Sequence, residues 1–388
     1  MVKFYGVSAL IGIVLGVVTF IFGSILNLIS KFIGLAFPYN LVLIPLVGIA
    51  TVILRNKYKR EVDQSMSQVF AATKADKELS PLIIPFQMFT TWLAHLSGAS
   101  VGREGVAVQL GGVIANYAAN LDQQLDRKVL TRIGMAAGFA GLFGTPLAAS
   151  VFCFEVSRKK PLVIHQVIGT LIATYTASLF STLLGLSHFH LENQFIKMTS
   201  RELILFVFCV ILFVIVGHVF ALALNKMKHI NKAIKINDIY KIAALSVIGM
   251  LALFYFNDGR YMSLGTNIIN EAFNSPETIL VFDFGYKLLF TIFFVSIGFQ
   301  GGEVTPLFAI GASLGVALSN ILFLPTAIVG AIGYAFTFGN ATNAYFTAMV
   351  LTVEIFGVSM LPYALLALAI TLVIRNDSHT IYPNLEWE

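Results

Sequence analysis

Ser97-Gly98-Ala99-Ser100-Val101-Gly102-Arg103-Glu104-Gly105-Val106 has a counterpart two hundred residues on, Ser296-Ile297-Gly298-Phe299-Gln300-Gly301-Gly302-Glu303-Val304-Thr305-Pro306. In both, small residues precede an apolar run, which reads as a closely approachable backbone turning into a helix (over 106–117 in the first copy). Pro306 suits a first-turn position, where its missing N–H has no intrahelical partner. Sliding the chain against itself by 199 residues aligns 97–155 with 296–354 without a gap, and 13 of the 59 positions are identical. Each window holds only two glutamates, and they coincide: Glu104 on Glu303 and Glu155 on Glu354. Two similar halves built on interrupted helices are the pattern of a transporter whose substrate site lies where the halves meet. The expected division is a first half over 1–198 with its core at 97–155, and a second half over 199–388 with its core at 296–354.

Outward from these cores the composition is that of a bilayer protein. Hydrophobic residues make up 57% of the 388-residue chain and charged ones 12%, against roughly a quarter charged in soluble domains. A mean hydropathy of +0.83 exceeds what a globule of this size can hide from water. The runs 4–30 and 161–191 contain no Lys, Arg, Asp or Glu, and each exceeds the roughly 20 residues that cross a hydrocarbon core. The expected fold is an all-α polytopic membrane protein with roughly ten spans, many of them short, tilted or broken at glycines. The first two crossings are expected at 10–27 and 41–54.

The basic residues fall in clusters at segment ends: Arg55, Lys57, Lys59 and Arg60; Arg158, Lys159 and Lys160; and Lys226, Lys228, Lys232 and Lys235. The positive-inside rule places these clusters and the N-terminus in the cytoplasm, with the last cluster forming an amphipathic connection. The net charge of +5 is explained by this topology, so no nucleic-acid partner is expected. An odd number of crossings per half would invert the second copy, and the crossings lean that way without deciding it.

Other classes are excluded on specific grounds. The N-terminal apolar run is too long for a signal-peptide core and reads as a retained helix. HExxH and GxxxxGK[ST] are absent. GxSxG occurs at 98–102 and 311–315, but without the strand–turn–helix context of a nucleophile elbow, so no enzyme is expected. Cys153 and Cys209 lie in apolar segments without CxxC spacing and read as small fillers. No metal or cofactor is expected.

The chemistry at the glycine breaks favours a small anion. A helix that begins inside the membrane presents unsatisfied N–H groups and the positive end of its dipole. Two such starts, related by the repeat, would converge on one anion, whereas a cation site calls for several carboxylates and helix C-termini. A carboxylate at Glu104 competes with the anion for those N–H groups, and protonation releases it, coupling proton binding to anion movement. The plainer alternative is a helix-capping glutamate. Arg103 reads as structural, paired with carbonyls or Glu155, ahead of any direct anion role.

GREGV at 102–106, GGEVTP at 301–306 and the glycine-rich lead into 146–155 resemble the CLC family of anion channels and transporters. The resemblance runs from the first crossing to Tyr382 and implies a homodimer of inverted-repeat subunits. It also departs from the chloride-conducting pattern. No GSGIP segment is present, and Met66 stands nearest to its chloride-coordinating serine, with Ser65 as the other candidate. Val304 replaces the phenylalanine of Gly-X-Phe-X-Pro, Val156 stands where exchangers carry an internal proton glutamate, and Val106 replaces the proline after GREG. This set is similar to the fluoride/proton antiporter subfamily, CLC-F.

That resemblance implies a role for each site residue. Glu104 is the gating and proton-coupling glutamate, and Glu303 a contributor to coupling. Met66, the backbone at Gly102 and Gly105, Val304, Thr305 and Tyr382 surround the anion. Tyr382 closes the inner end, ahead of the plainer alternative of an interfacial aromatic anchor. The resemblance further implies a multi-pass protein of a bacterial plasma membrane. No cytoplasmic regulatory domain is expected, because the sequence ends soon after Tyr382. Fluoride is small and strongly hydrated, so loss of a chloride-sized hydroxyl site and gain of a central glutamate alter the balance between the two anions. Fluoride enters from acidified surroundings as neutral HF and is trapped as an ion in a more alkaline cytoplasm, from which exchange for an incoming proton would expel it.

The alternatives are a chloride/proton exchanger or passive anion channel of the same fold, a cation/proton antiporter with unrelated broken helices, and a non-transporting scaffold. His95, in an apolar run, reads as a packed or pathway-lining histidine. The 34 phenylalanines read as lipid-facing or packing residues, one or two of them lining the pathway. Glu155 and Glu354 read as buried pairing or interface residues.

Overall fold

The computed structural model describes residues 1–63, 65–121, 124–156, 163–191, 196–376, 378 and 380–382; the basic run 158–160 lies outside them. The first half contains α1 (Val2–Ala36), α2 (Leu43–Lys57), α3 (Lys59–Val62), α4 (Ser65–Ala72), α5 (Ile83–Ser97), α6 (Glu104–Ala118), α7 (Arg127–Phe143), α8 (Pro146–Val156) and α9 (Ile164–Leu183). The second contains α10 (Ser200–Ala233), α11 (Asp238–Tyr255), α12 (Thr266–Asn274), α13 (Asp283–Ile297), α14 (Val304–Leu322), α15 (Thr326–Thr342), α16 (Tyr345–Phe356) and α17 (Leu361–Ile374). Among the described residues the only β-type contact is an antiparallel bridge between Gly102 and Gly302.

Among the described residues, five stretches are long and apolar enough to cross a bilayer: Val2–Ala36, Tyr39–Lys57, Ser200–Ala233, Asp238–Tyr255 and Val304–Leu322. This is fewer than the ten ordinary spans expected, because much of the apolar sequence is divided among shorter helices such as α8 and α16. Glycine makes the breaks. Gly98 ends α5 at φ +88° and Gly298 ends α13 at φ +110°, left-handed positions where a Cβ would be strained. The chain then runs non-helically to Gly102 and Gly302 before α6 and α14 begin.

Helices α6 and α7 pack backbone to backbone. A Cβ at Gly111 would fall on the Gly134 carbonyl, and one at Gly134 on the Gly111 carbonyl; Gly311 and Gly333 repeat this between α14 and α15. Close approach through small residues is the usual way helices associate in lipid, where apolar burial between helices gains little.

These contacts correct the internal register. Gly98–Gly298, Gly102–Gly302 and Gly111–Gly311 correspond at a separation of 200 residues, whereas Gly134–Gly333 correspond at 199. The link from Gly111 to Gly134 holds one residue more than its partner. The gapless alignment therefore misreads the site: the structural counterpart of Glu104 is Val304, and that of Glu303 is Arg103. The antiparallel Gly102–Gly302 bridge sends the two copies past each other in opposite directions, as an inverted repeat requires.

Helix α10 starts with a capping box, the Thr199 hydroxyl accepting from the Glu202 N–H while the Glu202 carboxylate accepts from the Thr199 N–H. Its 34 residues span roughly 50 Å at about 1.5 Å per residue, more than a hydrocarbon core. The lysine run expected as a connection is thus mostly the end of α10, which carries Lys226, Lys228 and Lys232.

Candidate functional site

The starts of α6 and α14 meet at the paired glycines. Gly102 donates its N–H to the Gly302 carbonyl, and Gly302 donates back to the Gly102 carbonyl at 2.8 Å. A side chain at Gly102 would strike the Gly302 backbone and Pro306. The residue therefore serves close approach, and its N–H, engaged by Gly302, is not free for an anion as the sequence reading had it.

Glu104 opens α6 but belongs chemically to α14. Its side chain is 1% exposed, and Oε2 accepts the Thr305 backbone N–H at 3.2 Å and the Thr305 hydroxyl in a shorter contact. Thr305 lies in the first turn of α14, so the carboxylate occupies the orphan-donor end of the opposite half's helix. Arg103 approaches from the other side, its Nε 3.4 Å from Oε1, while its guanidinium also donates to the Asn27 side-chain oxygen on α1 at 3.2 Å. The expected Arg103–Glu155 pairing is not formed, because Glu155 caps α16: it accepts the N–H groups of Phe346 and Thr347, each at 2.9 Å.

Met66, on α4, brings its methyl to 3.3 Å from where a Cβ would stand on Gly105, and that Cβ would also lie 3.4 Å from the Gly302 Cα. The thioether thus lies against the junction of the two helix starts. Below it is a cavity of about 320 Å³ whose walls include Met66, Glu303, Tyr382, Arg55, Lys228 and Lys232. Glu303 is the residue just before α14, 8% exposed, with its carbonyl accepting from the Leu307 N–H at 3.0 Å. Tyr382 is 4% exposed, its ring packed between Phe70 at 5.3 Å and Phe152 at 6.0 Å. Burial among aromatics on a cavity wall distinguishes it from an anchor at a lipid interface. Phe299 is the phenylalanine on that wall. Val304 and Thr305 are both buried at the start of α14.

The structure thus brings together Glu104 with Thr305, and Met66 with Gly105, Glu303 and Tyr382. Behind them Phe308 stacks on Tyr334 with centroids 4.2 Å apart, and on Phe143 at 5.1 Å. Sequence reasoning missed Asn27, Tyr334 and Lys287. Only Lys287 had a usable signal, as the one charge in the apolar run 284–302.

Comparison with known proteins agrees with this architecture. The sequence model of the voltage gated chloride channel family matches residues 47–376. A chloride/fluoride channel protein of Pseudomonas syringae pv. tomato is 31% identical over 340 residues, covering 85% of this chain and 75% of the relative. The crystal structure of a CLC-type fluoride/proton antiporter superposes with a TM-score of 0.93 at 39% identity, covering 98% of this chain and 97% of the other. A slow cyanobacterial Cl⁻/H⁺ antiporter, at 21% identity and a TM-score of 0.78 over 96% and 95% of the two chains, shares the fold.

Proposed function

The chain belongs to the voltage gated chloride channel (CLC) family of membrane ion-transport proteins, and from that membership we propose that it exports fluoride from the cytoplasm in exchange for protons. One observation carries the coupled part of this reading. The Glu104 carboxylate accepts the Thr305 N–H and hydroxyl at the start of α14, donors suited to a small anion. The carboxylate and the anion then exclude one another. Ionised, Glu104 closes the path; a proton arriving from outside neutralises it, weakens its hold on the Thr305 donors and lets the anion take them. Release of that proton to the inner side, towards Glu303 on the cavity wall, restores the carboxylate, which expels the anion outward and completes the exchange.

Fluoride as the anion is supported by two relatives above 30% identity, one named a chloride/fluoride channel protein and the other a fluoride/proton antiporter. It is also supported by the chemistry at the junction, where the Met66 methyl abuts Gly105 and no phenylalanine precedes Thr305. Fluoride holds its hydration tightly, so charge-concentrating donors such as the Thr305 N–H and hydroxyl have to replace its water. In this reading Glu303, on the cavity wall with Lys228, handles protons or anions on the inner side, and Tyr382 bounds the inner end. The protein would work as a homodimer in a bacterial plasma membrane with its N-terminus and the basic cavity facing the cytoplasm.

Anion efflux from reconstituted liposomes, fluoride against chloride, with internal pH recorded, tests the proposal. Fluoride efflux that drives proton uptake, with chloride much slower, supports it. Equal chloride flux returns the chain to chloride transport, and fluoride flux without proton movement makes it the channel that one relative's name suggests.

A further inference from the structure

Lys287 lies in α13, an otherwise apolar helix after Asp283, with its side chain fully buried. Its Nζ donates to the Ser263 carbonyl at 2.7 Å, the Ser100 hydroxyl at 2.8 Å and the Tyr261 carbonyl at 3.2 Å. The two carbonyls can only accept. Ser100 lies 3.1 Å from the Thr291 hydroxyl, which donates to the Lys287 carbonyl at 2.8 Å. Thr291's proton is thereby engaged, so Ser100 donates to Thr291 and accepts from Nζ. Three acceptors facing one nitrogen match the three donors of an ammonium.

The same cluster reaches the paired glycines. The Ser263 N–H donates to the Gly98 carbonyl at 3.2 Å. Its hydroxyl is 2.7 Å from His95 Nδ1, and His95 Nε2 is 3.3 Å from the Gly102 carbonyl. Ser263 itself has φ +53°, a left-handed conformation that a non-glycine residue holds only when its surroundings over-determine it.

The internal repeat makes this brace twice. Gln87 on α5 corresponds to Lys287, and Gln300 to Ser100, at the 200-residue separation of the paired glycines; Gln87 donates to Gln300 at 3.2 Å. Each brace holds the residue two before a paired glycine. The Gln87–Gln300 brace borders the basic cavity and is neutral; the Lys287–Ser100 brace is charged and fully buried. A polar group at membrane depth is costly unless it has work to do, and a neutral pair already suffices to tie one strand.

We propose that Lys287 is a positioning residue for transport: its ammonium is a tethered cation that locks the connection 257–265 onto the segment 97–102, holding the Gly102–Gly302 pairing from which Glu104 projects. The inference rests on the reading of the protein as a coupled transporter. Loosening the brace lets the helix start carrying Glu104 shift relative to Thr305, so the anion leaks past without its proton.

The test is the proton-to-anion ratio of Lys287→Met in liposomes, measured with fluoride and with chloride, because this ratio does not depend on how much protein is folded. The expected result is a ratio lowered about twofold or more, with anion flux retained. A purely structural lysine would lower yield or Tm and leave the ratio at the wild-type value, which overturns the proposal. If Lys287→Met does not fold, Ser100→Ala removes the hydroxyl that accepts from Nζ; a lowered ratio in that variant supports the proposal, and a wild-type ratio overturns it. A wild type that moves its anion without protons refutes the exchange reading separately. Lys287 is then judged on turnover of that anion, where a loss of about tenfold in folded Lys287→Met supports positioning and an unchanged rate overturns it.

Discussion

Glu155 and Glu354 cap each other's neighbouring helices: Glu155 accepts the N–H groups of Phe346 and Thr347 at the start of α16, at 2.9 Å each, and Glu354 accepts those of Leu147 and Ala148 at the start of α8, at 2.9 and 2.7 Å. The contacts are repeat-related partner for partner at a separation of 199 residues. Each carboxylate satisfies orphan donors and faces a helix dipole, so the role of this pair is to join the halves.

Replacing either residue should therefore affect stability and leave coupling alone. Glu354→Ala or Glu155→Ala is expected to cost about 1–2 kcal/mol, the range for loss of an N-cap, seen as a lower Tm in detergent. The proton-to-anion ratio of the surviving protein should match wild type. A changed ratio would move one of these glutamates into the proton path.

Glu104→Gln keeps the shape of the side chain and an oxygen that can accept from Thr305, but it cannot take up or release a proton. Proton uptake driven by fluoride efflux should disappear, with any remaining fluoride flux insensitive to the pH gradient. Coupled proton uptake at the wild-type ratio would exclude Glu104 as the coupling residue.

Thr305 contributes two donors, and substitution separates them. Thr305→Val retains the N–H and removes the hydroxyl; hydrogen bonds to charged groups are worth about 1.5–3 kcal/mol, so fluoride turnover should fall by roughly tenfold to a hundredfold. Thr305→Ser should stay close to wild type. Equal rates for the two variants would mean that the hydroxyl does not meet the anion.

Met66→Ser puts a hydroxyl donor where a methyl now abuts Gly105. The ratio of chloride to fluoride flux should rise, measured by efflux of each anion from matched liposomes. An unchanged ratio would remove Met66 from the determinants of selectivity.

Much of this arrangement was legible from residue types. Charge-free runs announce a membrane protein, and the Gly-rich leads at 97–102 and 296–302 announce helices that begin within it, because only such a backbone lets Gly102 and Gly302 approach so closely. Met66 was singled out from a motif departure and Thr305 from the motif itself, and both lie at the junction. The register was not legible. Glu104 and Glu303 coincide in a gapless alignment because the link 111–134 is one residue longer than 311–333, and only packing against the neighbouring helix reveals where the slip falls. Lys287 and Asn27 were missed for a related reason: their partners are 187 and 76 residues away in sequence, and no local pattern encodes such pairings.

The two helix starts match in backbone and differ in side chain: Glu104 stands where the second copy has Val304 and reaches Thr305, so an acceptor faces a donor where strict symmetry would set like against like. In the proposed cycle Glu104 is a covalently attached competitor of the transported ion. Its effective concentration at the Thr305 donors is fixed by a short tether, in a range of millimolar or higher, and does not fall when the cell dilutes its anions. Free fluoride at lower concentration cannot displace such a competitor by mass action alone. Neutralising it with a proton removes the competition, so the threshold for export is set by proton supply as well as by the amount of fluoride to be removed.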